Sequence, residues 1–305
     1  MKFKFLYIIL FISSICFGQK IKSEEILIKN DSIELPGTLT YLKENSPLII
    51  WVHGSGNVDR NGNQKPTINA NYIKQFRDSI NKKHVAFFSY DKRTATKRNF
   101  AFSKEMKFNG FVSDLKQVIN HFKNDNRFSK IILIGHSQGS LTAMLAAKNV
   151  DKYVSLAGVS NPLDEFIIGE YQKASPVYGV IAKQHFEELN KTGTIKEVNP
   201  ALAHLLAKPN QSFMKSWIAF NPSQEIKKLT IPTLIINGTK DLQVPISNAE
   251  TLHKIAKNSE LVLIKNMNHV LKIVNSQTEN QQSYFTDKFP LSTELITTIV
   301  DFLKK

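Results

Sequence analysis

Ser137 stands in a segment whose residue types and spacing are typical of a catalytic nucleophile. Residues 131–146 read IILIGHSQGSLTAMLA, an apolar run followed by a Gly-His-Ser-Gln-Gly cluster and an alanine-rich stretch. The apolar run indicates a buried strand and the last stretch a helix, so the serine falls on the turn between them. Gly135 and Gly139 lack a β-carbon where strand and helix converge, which allows a tight turn to close. The alternative is a serine that caps an ordinary helix, but the strand–turn–helix context favours a nucleophile.

A serine hydroxyl is a weak nucleophile at neutral pH and needs a base that is itself held by an acid. In proteins whose nucleophile lies on this kind of turn, the three catalytic residues follow one another along the chain in the order Ser, Asp or Glu, His. Asp241 follows the apolar run 233–236 on a glycine-containing loop, where its alternative role is that of an Asx-turn residue. His269 follows the last apolar run, 261–264, and is the only histidine beyond Asp241 on a loop after a predicted strand. We therefore predict a catalytic triad of Ser137, Asp241 and His269.

Backbone amides near Ser137 are candidates for an oxyanion hole. Residues 51–56 read Trp-Val-His-Gly-Ser-Gly and end a predicted strand that neighbours the nucleophile strand. We predict that the N–H groups of Ser55 and Gln138 bind the oxyanion, with Gly56 as the alternative to Ser55. The helix behind Ser137 also directs its positive end toward the reacting oxygen. His53 is expected to brace the loop.

The composition excludes several other chemistries. The chain has 305 residues, 42% of them hydrophobic, and Cys16 is its one cysteine. A disulfide framework, a thiolate metal site and a cysteine nucleophile are therefore not expected, and we predict neither a metal nor a cofactor. The formal net charge is +14, but the lysines are scattered and no basic stripe alternates with aromatics. This pattern favours a solvated basic surface over a nucleic-acid partner.

Residues 1–18 are predicted to be a secretory signal peptide. Lys2 and Lys4 form a basic start, residues 5–12 are apolar, and Cys16 and Gly18 are small residues suited to cleavage before Gln19. Lipoprotein processing at Cys16 is the alternative. No later segment is apolar enough to span a membrane, so we expect an exported protein, periplasmic or secreted.

Apolar runs of strand length alternate with segments of helical period, which predicts a mostly parallel sheet with helices on both faces. An N-terminal antiparallel hairpin is expected, with its turn at Pro36-Gly37. The predicted strands are 26–28, 38–42, 48–52, 85–88, 131–134, 153–156, 233–236 and 261–264, and the predicted helices are 72–81, 111–122, 140–148, 249–256 and 293–303.

One stretch of about residues 161–224 lacks a clear strand and is predicted to be a helical cap inserted into a single domain of residues 19–305. Phe213, Met214, Trp217 and Phe220 recur in it at roughly helical spacing. Such a stripe packs a cap against its body or lines a pocket, and we assign Phe213 and Trp217 to the substrate pocket.

With these residues identified, the chain resembles the α/β-hydrolases, and more closely the bacterial carboxylesterases of the EstD type. The resemblance extends from about residue 33 to the end. It rests on five blocks: His53-Gly54-Ser55-Gly56 with Asp59-Arg60, Tyr90-Asp91-Lys92-Arg93, Gly135-His136-Ser137-Gln138-Gly139, residues 237–245, and Met267-Asn268-His269. It implies an α/β-hydrolase fold, a triad on Ser137, Asp241 and His269, no cofactor, and a cap that forms part of the acyl pocket.

Two positions depart from the pattern of the family. Asn57 stands where the family usually has a proline, and residues 94–98, Thr-Ala-Thr-Lys-Arg, replace a glycine-containing turn; this second change is expected to reshape one wall of the site.

The sequence thus predicts a serine hydrolase that cleaves small carboxylic esters of short acyl chains through an acyl-enzyme. The same machinery cleaves amides, so an exported peptidase of the prolyl or aminopeptidase type is an alternative. A polysaccharide deacetylase is a second alternative and a non-catalytic binding module a third. The oligomeric state stays open.

Overall fold

A mixed eight-stranded sheet organises the protein, for which we describe a computed structural model of residues 20–305. The signal-peptide prediction for residues 1–18 lies outside the described residues. The sheet order is β1-β2-β6-β3-β7-β8-β9-β10, and β4 and β5 form a separate two-stranded ribbon. The strands are β1 (Lys22–Asn30), β2 (Ile33–Tyr41), β3 (Ser46–Val52), β4 (Asn63–Gln64), β5 (Ile68–Asn69), β6 (Ala86–Tyr90), β7 (Phe128–His136), β8 (Lys152–Leu156), β9 (Thr233–Gly238) and β10 (Ser259–Ile264).

Six neighbouring strands, from β6 to β10 in the sheet order, are parallel, as the buried apolar runs predicted. The N-terminal antiparallel hairpin is also confirmed, since β1 pairs with β2 and β2 with β6 in antiparallel register. Because the carboxyl ends of parallel strands meet at one edge, the loops after β3, β7, β9 and β10 converge there.

The predicted position of the hairpin turn was wrong. Asn30 pairs with Ile33, so the turn lies at residues 31–32, where Asp31 adopts a left-handed φ of 53°. Aspartate tolerates this conformation better than most residues. Gly37 lies inside β2, where a β-carbon would stand 2.4 Å from the ring of Phe88. This glycine makes room for a ring on the neighbouring strand, and no turn forms at it.

Helices cover both faces of the sheet. Alternate residues of β3 point to opposite sides: Ile50 joins one hydrophobic cluster with α2 and α3, and Trp51 joins the other with α1 and α11. The helices are α1 (Tyr72–Asn81), α2 (Phe108–Phe122), α3 (Gln138–Ala146), α4 (Leu163–Ala174), α5 (Pro176–Thr192), α6 (Ala203–Leu206), α7 (Lys208–Ile218), α8 (Pro222–Ile226), α9 (Ile246–Ile255), α10 (Gln277–Gln282) and α11 (Thr293–Lys304), with 3₁₀ turns at Lys97–Glu105, Ala147–Asn149 and Pro200–Leu202.

Helices α4 to α8 follow one another between β8 and β9, and we call residues 163–226 the cap segment. It has a hydrophobic cluster of its own, built on Ala182, Phe186 and Leu206 among others. Trp217 anchors it to the body of the protein by stacking on Phe108, with ring centroids 5.3 Å apart. Within residues 20–305 no helix is both long enough and apolar enough to cross a bilayer.

Candidate active site

Ser137 lies on a strained turn between β7 and α3. Its φ of 54° and ψ of −122° are outside the regions that L-residues usually adopt, which costs roughly 1–3 kcal/mol and persists only if the surroundings enforce it. The Ser137 N–H donates to Leu156 O at 2.9 Å on the neighbouring strand. A β-carbon on Gly139 would stand 2.2 Å from Val52 O, so helix α3 could not approach β3 as closely with any other residue there.

Asp241 and His269 form a hydrogen-bonded pair at the same edge of the sheet. Asp241 follows β9 and His269 follows β10, and their loops are joined by Lys240 N–H donating to Met267 O at 3.0 Å. His269 Nδ1 lies 2.8 Å from Asp241 Oδ2. The two side chains are 6% and 1% exposed, so water screens their interaction little.

The Asp241 carboxylate is stabilised in its charged form. Burial by itself would raise its pKa, but the charge of His269 and hydrogen bonds lower the pKa below its usual value. The Gln243 and Val244 N–H groups donate to Oδ1 at 2.8 and 2.9 Å. An ionised Asp241 accepts the Nδ1 proton of His269 and leaves Nε2 as the basic nitrogen of the ring.

The third predicted member, Ser137, lies on the turn after β7 at the same edge of the sheet, but the structure does not bond it to this pair. In the described chain the Ser137 hydroxyl makes no hydrogen bond to His269. His136, next to the serine, donates from Nε2 to His269 O at 2.9 Å, and the two rings lie 4.7 Å apart. Burial first, and then the proximity of His269, lowers the pKa of His136 to about 3, so this ring is neutral.

A cavity of about 150 Å³ opens at Ser137. Ser55 and Gln138 lie on its wall, as does Trp217, one of the two predicted pocket residues. The remaining lining is mostly apolar and comes from α3, the loop after β8, the cap segment and the loop after β9: Leu141, Val159, Asn161, Leu163, Phe166, Pro222, Gln243 and Val244. The cap segment thus contributes directly to the surroundings of Ser137.

Two backbone donors lie at this cavity. The backbone N–H groups of Ser55 and Gln138 have no hydrogen-bond acceptor in residues 20–305. Free N–H groups beside a nucleophile can receive the negative charge of a tetrahedral intermediate. The carbonyl of Gly56 accepts from Thr94 Oγ1 at 2.9 Å, and Gly56 is not among the residues that line the cavity. This arrangement favours Ser55 over Gly56 as the second donor.

The Tyr90–Arg93 block supports the loop that carries Ser55. His53 Nε2 donates to Tyr90 O, and the Arg60 guanidinium donates to both carboxylate oxygens of Asp91. Lys92 Nζ donates to Gly54 O at 2.8 Å. The bond of His53 to Tyr90 O agrees with the loop-bracing role expected of His53, whereas sequence reasoning assigned Asp91 and Lys92 no role beyond the resemblance. The signal that could have identified Lys92 is a lysine close after a predicted central strand, two positions beyond the end of β6.

A second and larger cavity has a volume of about 690 Å³. Phe213, the other predicted pocket residue, lines this cavity and not the one at Ser137. Asn57 and Thr94, which depart from the pattern of the family, lie on its wall with Arg93. The described part of the chain contains no cluster of three or more His, Cys, Asp or Glu side chains suited to hold a metal ion.

Comparison with known proteins agrees with this architecture. A family model described as BD-FAE matches residues 38–255. Esterase EstD of Thermotoga maritima is 27% identical over an alignment of 250 residues that covers 78% of this chain but only 58% of that relative.

Two solved structures are similar in fold. Est1E from Butyrivibrio proteoclasticus superposes with a TM-score of 0.58 at 18% identity, covering 92% of this chain and 99% of that one. An acylaminoacyl peptidase of Pyrococcus horikoshii superposes with a TM-score of 0.59 at 15% identity, covering 93% of this chain and 41% of that one. The match to the family model extends over most of the described chain, and the sheet, helices and turn at Ser137 are those of an α/β-hydrolase: the protein belongs to the BD-FAE family.

Proposed function

We propose that the protein is a serine esterase that cleaves carboxylic esters through an acyl-enzyme on Ser137. The observation that carries the proposal is the buried 2.8 Å pair of Asp241 and His269 at the sheet edge where the strained Ser137 turn also lies. The esterase name of the Thermotoga maritima relative supports the same chemistry. Catalytic hydrogen bonds often tighten only when substrate is bound, so the unbonded Ser137 hydroxyl is compatible with this role.

In this mechanism His269 Nε2 takes the hydroxyl proton of Ser137 as the oxygen attacks the ester carbonyl. Asp241 holds the imidazole in the required tautomer and stabilises its positive form. The N–H groups of Ser55 and Gln138 bind the oxyanion, the alcohol leaves with the proton from His269, and a water molecule activated by the same ring releases the acid. Each oxyanion donor contributes about 3–4 kcal/mol of transition-state stabilisation in comparable sites.

We further propose that the acyl group is short. The cavity at Ser137 has about 150 Å³, whereas pockets for drug-sized ligands have roughly 300–1,000 Å³. Its apolar lining with Trp217 and Phe166 favours an uncharged acyl chain. p-Nitrophenyl esters from two to twelve acyl carbons should give the highest kcat/KM at two to four carbons. A maximum at eight or more carbons would contradict the cavity argument.

The test of the nucleophile is Ser137→Ala with Ser247→Ala as control, because Ser247 is exposed on α9. We expect Ser137→Ala to lower kcat about 10⁶-fold, as in a comparable triad, and to abolish labelling by a fluorophosphonate. The control should behave as the wild type. Wild-type turnover in Ser137→Ala would overturn the proposal. Faster cleavage of an aminoacyl anilide than of the matched ester would instead identify a peptidase.

We also propose that the protein is exported, on the strength of the basic start and apolar run in residues 1–18. Expression in a Gram-negative host should place the activity outside the cytoplasm, with Gln19 as the first residue. Recovery of uncleaved protein in the cytoplasm would contradict export.

A further inference from the structure

Lys92 is a buried lysine for which the proposed mechanism has no use. It is 5% exposed, and its Nζ donates to Gly54 O at 2.8 Å and to Gln138 Oε1 at 2.5 Å. The ammonium also lies 4.1 Å from the ring centroid of Phe111. Within the described residues Lys92 forms no salt bridge, and Asp114, the nearby carboxylate, is bound by Arg93.

An unpaired buried ammonium is costly, since several kcal/mol of hydration are lost on burial. Burial accordingly lowers the pKa of Lys92 to about 7, with Asp114 opposing the shift. An apolar side chain of the same length would fill this space at lower cost. The position of the two acceptors suggests what the lysine contributes in return.

The first acceptor controls the direction of one oxyanion donor. The peptide between Gly54 and Ser55 is planar and trans, so its C=O and its N–H point in opposite directions. Lys92 holds the Gly54 carbonyl on the inner side of the loop, and the Ser55 N–H is thereby directed away from the lysine. Rotation of this peptide would exchange the two groups and turn a carbonyl toward the substrate oxygen. A glycine at position 54 makes such a rotation easier, so the loop needs an external restraint.

The second acceptor belongs to the residue that supplies the other donor. Gln138 begins α3, and its side chain is bound to the same ammonium as the Gly54 carbonyl. One lysine therefore connects the loop after β3 with the first turn of α3. These two elements carry Ser55 and Gln138, which line the cavity at Ser137 and whose N–H groups have no acceptor in residues 20–305.

We propose that Lys92 is a positioning residue that keeps the oxyanion hole formed in the free enzyme by holding the Gly54–Ser55 peptide and the Gln138 side chain. The inference rests on the proposed esterase function and deepens it. Lys92 does not touch the substrate: it acts through the orientation of the two donors.

The decisive variant is Lys92→Met, which keeps the length and apolar stem of the side chain and removes its donors. For a short p-nitrophenyl ester we expect kcat to fall about 10²–10³-fold, as when an oxyanion donor is lost, while KM changes less than about threefold. A trifluoromethyl ketone, which forms an oxyanion adduct with the nucleophile, should bind more weakly by a factor similar to the loss of kcat/KM. Thermal unfolding should occur at the wild-type temperature or higher, because a buried charge has been removed.

Lys152→Met is the matched control. Lys152 is also 5% exposed, and its Nζ donates to a backbone carbonyl, Phe302 O, at 2.6 Å and lies 4.8 Å from the centroid of that ring. It stands at the opposite end of the parallel strands from Ser137. Its substitution should leave kcat unchanged.

Two results would overturn the inference: a Lys92→Met kcat within threefold of the wild type, or a loss of activity with unchanged affinity for the trifluoromethyl ketone. Failure of the proposed function has a different signature, namely a wild type that neither hydrolyses esters nor reacts at Ser137 with a fluorophosphonate.

Discussion

At the residue scale Asp241 and His269, which are distant in sequence, form a buried hydrogen-bonded pair, and Ser137 is the third member of the proposed triad. Asp241 is almost fully buried, yet it stays ionised because two backbone N–H groups and His269 surround it. Its negative charge fixes the proton of His269 on Nδ1, which leaves Nε2 available to Ser137. The chain order Ser, Asp, His selected the same residues from sequence, because loops after successive parallel strands converge at one edge. Their catalytic roles remain a prediction.

Asp241→Asn tests the charge separately from the geometry. An amide keeps the size of the side chain, but its NH₂ can donate to Nδ1 and so favours the wrong tautomer of His269. We expect kcat to fall about 10⁴-fold, as in a comparable triad, with little change in the melting temperature. Steady-state kinetics and thermal unfolding measure the two effects. Asp78→Asn, on the exposed side of α1, is the control, and a loss below tenfold would argue against the assigned role of Asp241.

The turn from β7 to α3 determines the site at the scale of elements. Its strain is maintained by the close approach of α3 to the end of β3, where Gly139 faces the backbone of Val52 and His53. The motif predicted this turn correctly, since glycines at fixed spacing are a local property. In contrast, the hairpin turn was misplaced at Pro36-Gly37, because Gly37 makes room for Phe88 on another strand.

Gly139→Ala should therefore destabilise the protein and reduce its reaction with a fluorophosphonate. The new β-carbon would stand 2.2 Å from Val52 O, and relieving such an overlap by backbone shifts costs about 1–3 kcal/mol. Gly169→Ala is the matched control, because nothing beyond its chain neighbours and the local backbone of α4 lies within 4 Å of its added β-carbon. The control should be neutral or stabilising by up to about 1 kcal/mol. Urea unfolding of both variants measures the contrast, and equal effects would contradict the packing argument.

At the scale of the whole molecule there are three large hydrophobic clusters among the described residues: one on each face of the sheet and one inside the cap segment. Phe213 and Trp217 on α7 pack against both the cap cluster and one face of the sheet. The cap segment therefore has an interior of its own, and α7 and α8 attach it to the body through Phe213, Trp217 and the fully buried Ile226. Segments with separate cores often open independently.

Phe186→Ala tests this independence. Phe186 is 1% exposed inside the cap cluster, and its truncation should cost about 3–5 kcal/mol. Hydrogen exchange should show loss of protection concentrated in residues 163–226, with β3 and β7 unchanged. Phe122→Ala, inside the cluster between sheet and α2, should instead reduce protection of the sheet. Uniform loss of protection in Phe186→Ala would indicate a single cooperative unit.

The buried His53 should make the stability of the fold sensitive to acid. Burial lowers the pKa of His53 from 6.5 to about 4, opposed by its bond to Tyr90, so the unfolded chain binds more protons between these values. The free energy of unfolding should thus fall as pH decreases through this window, by up to about 1.4 kcal/mol per pH unit for one histidine. In His53→Gln the free energy of unfolding, measured with urea, should decrease less steeply than in the wild type between pH 6.5 and 4.5. Parallel curves for the two proteins would contradict the assignment.

The sequence by itself determined the alternation of the main strands and helices, the parallel sheet, the strand–turn–helix at Ser137 and which residues are candidates for a triad. These depend on local periodicity, on glycine spacing and on the order of loops along the chain, all of which a linear pattern records. Only the tertiary structure decided where the hairpin turns, that Trp217 and Phe213 line different cavities, and that Lys92 binds the loop of Ser55. Lys92 contacts residues 38 and 46 positions away, and such contacts follow from how strands and helices pack together, which residue spacing does not encode.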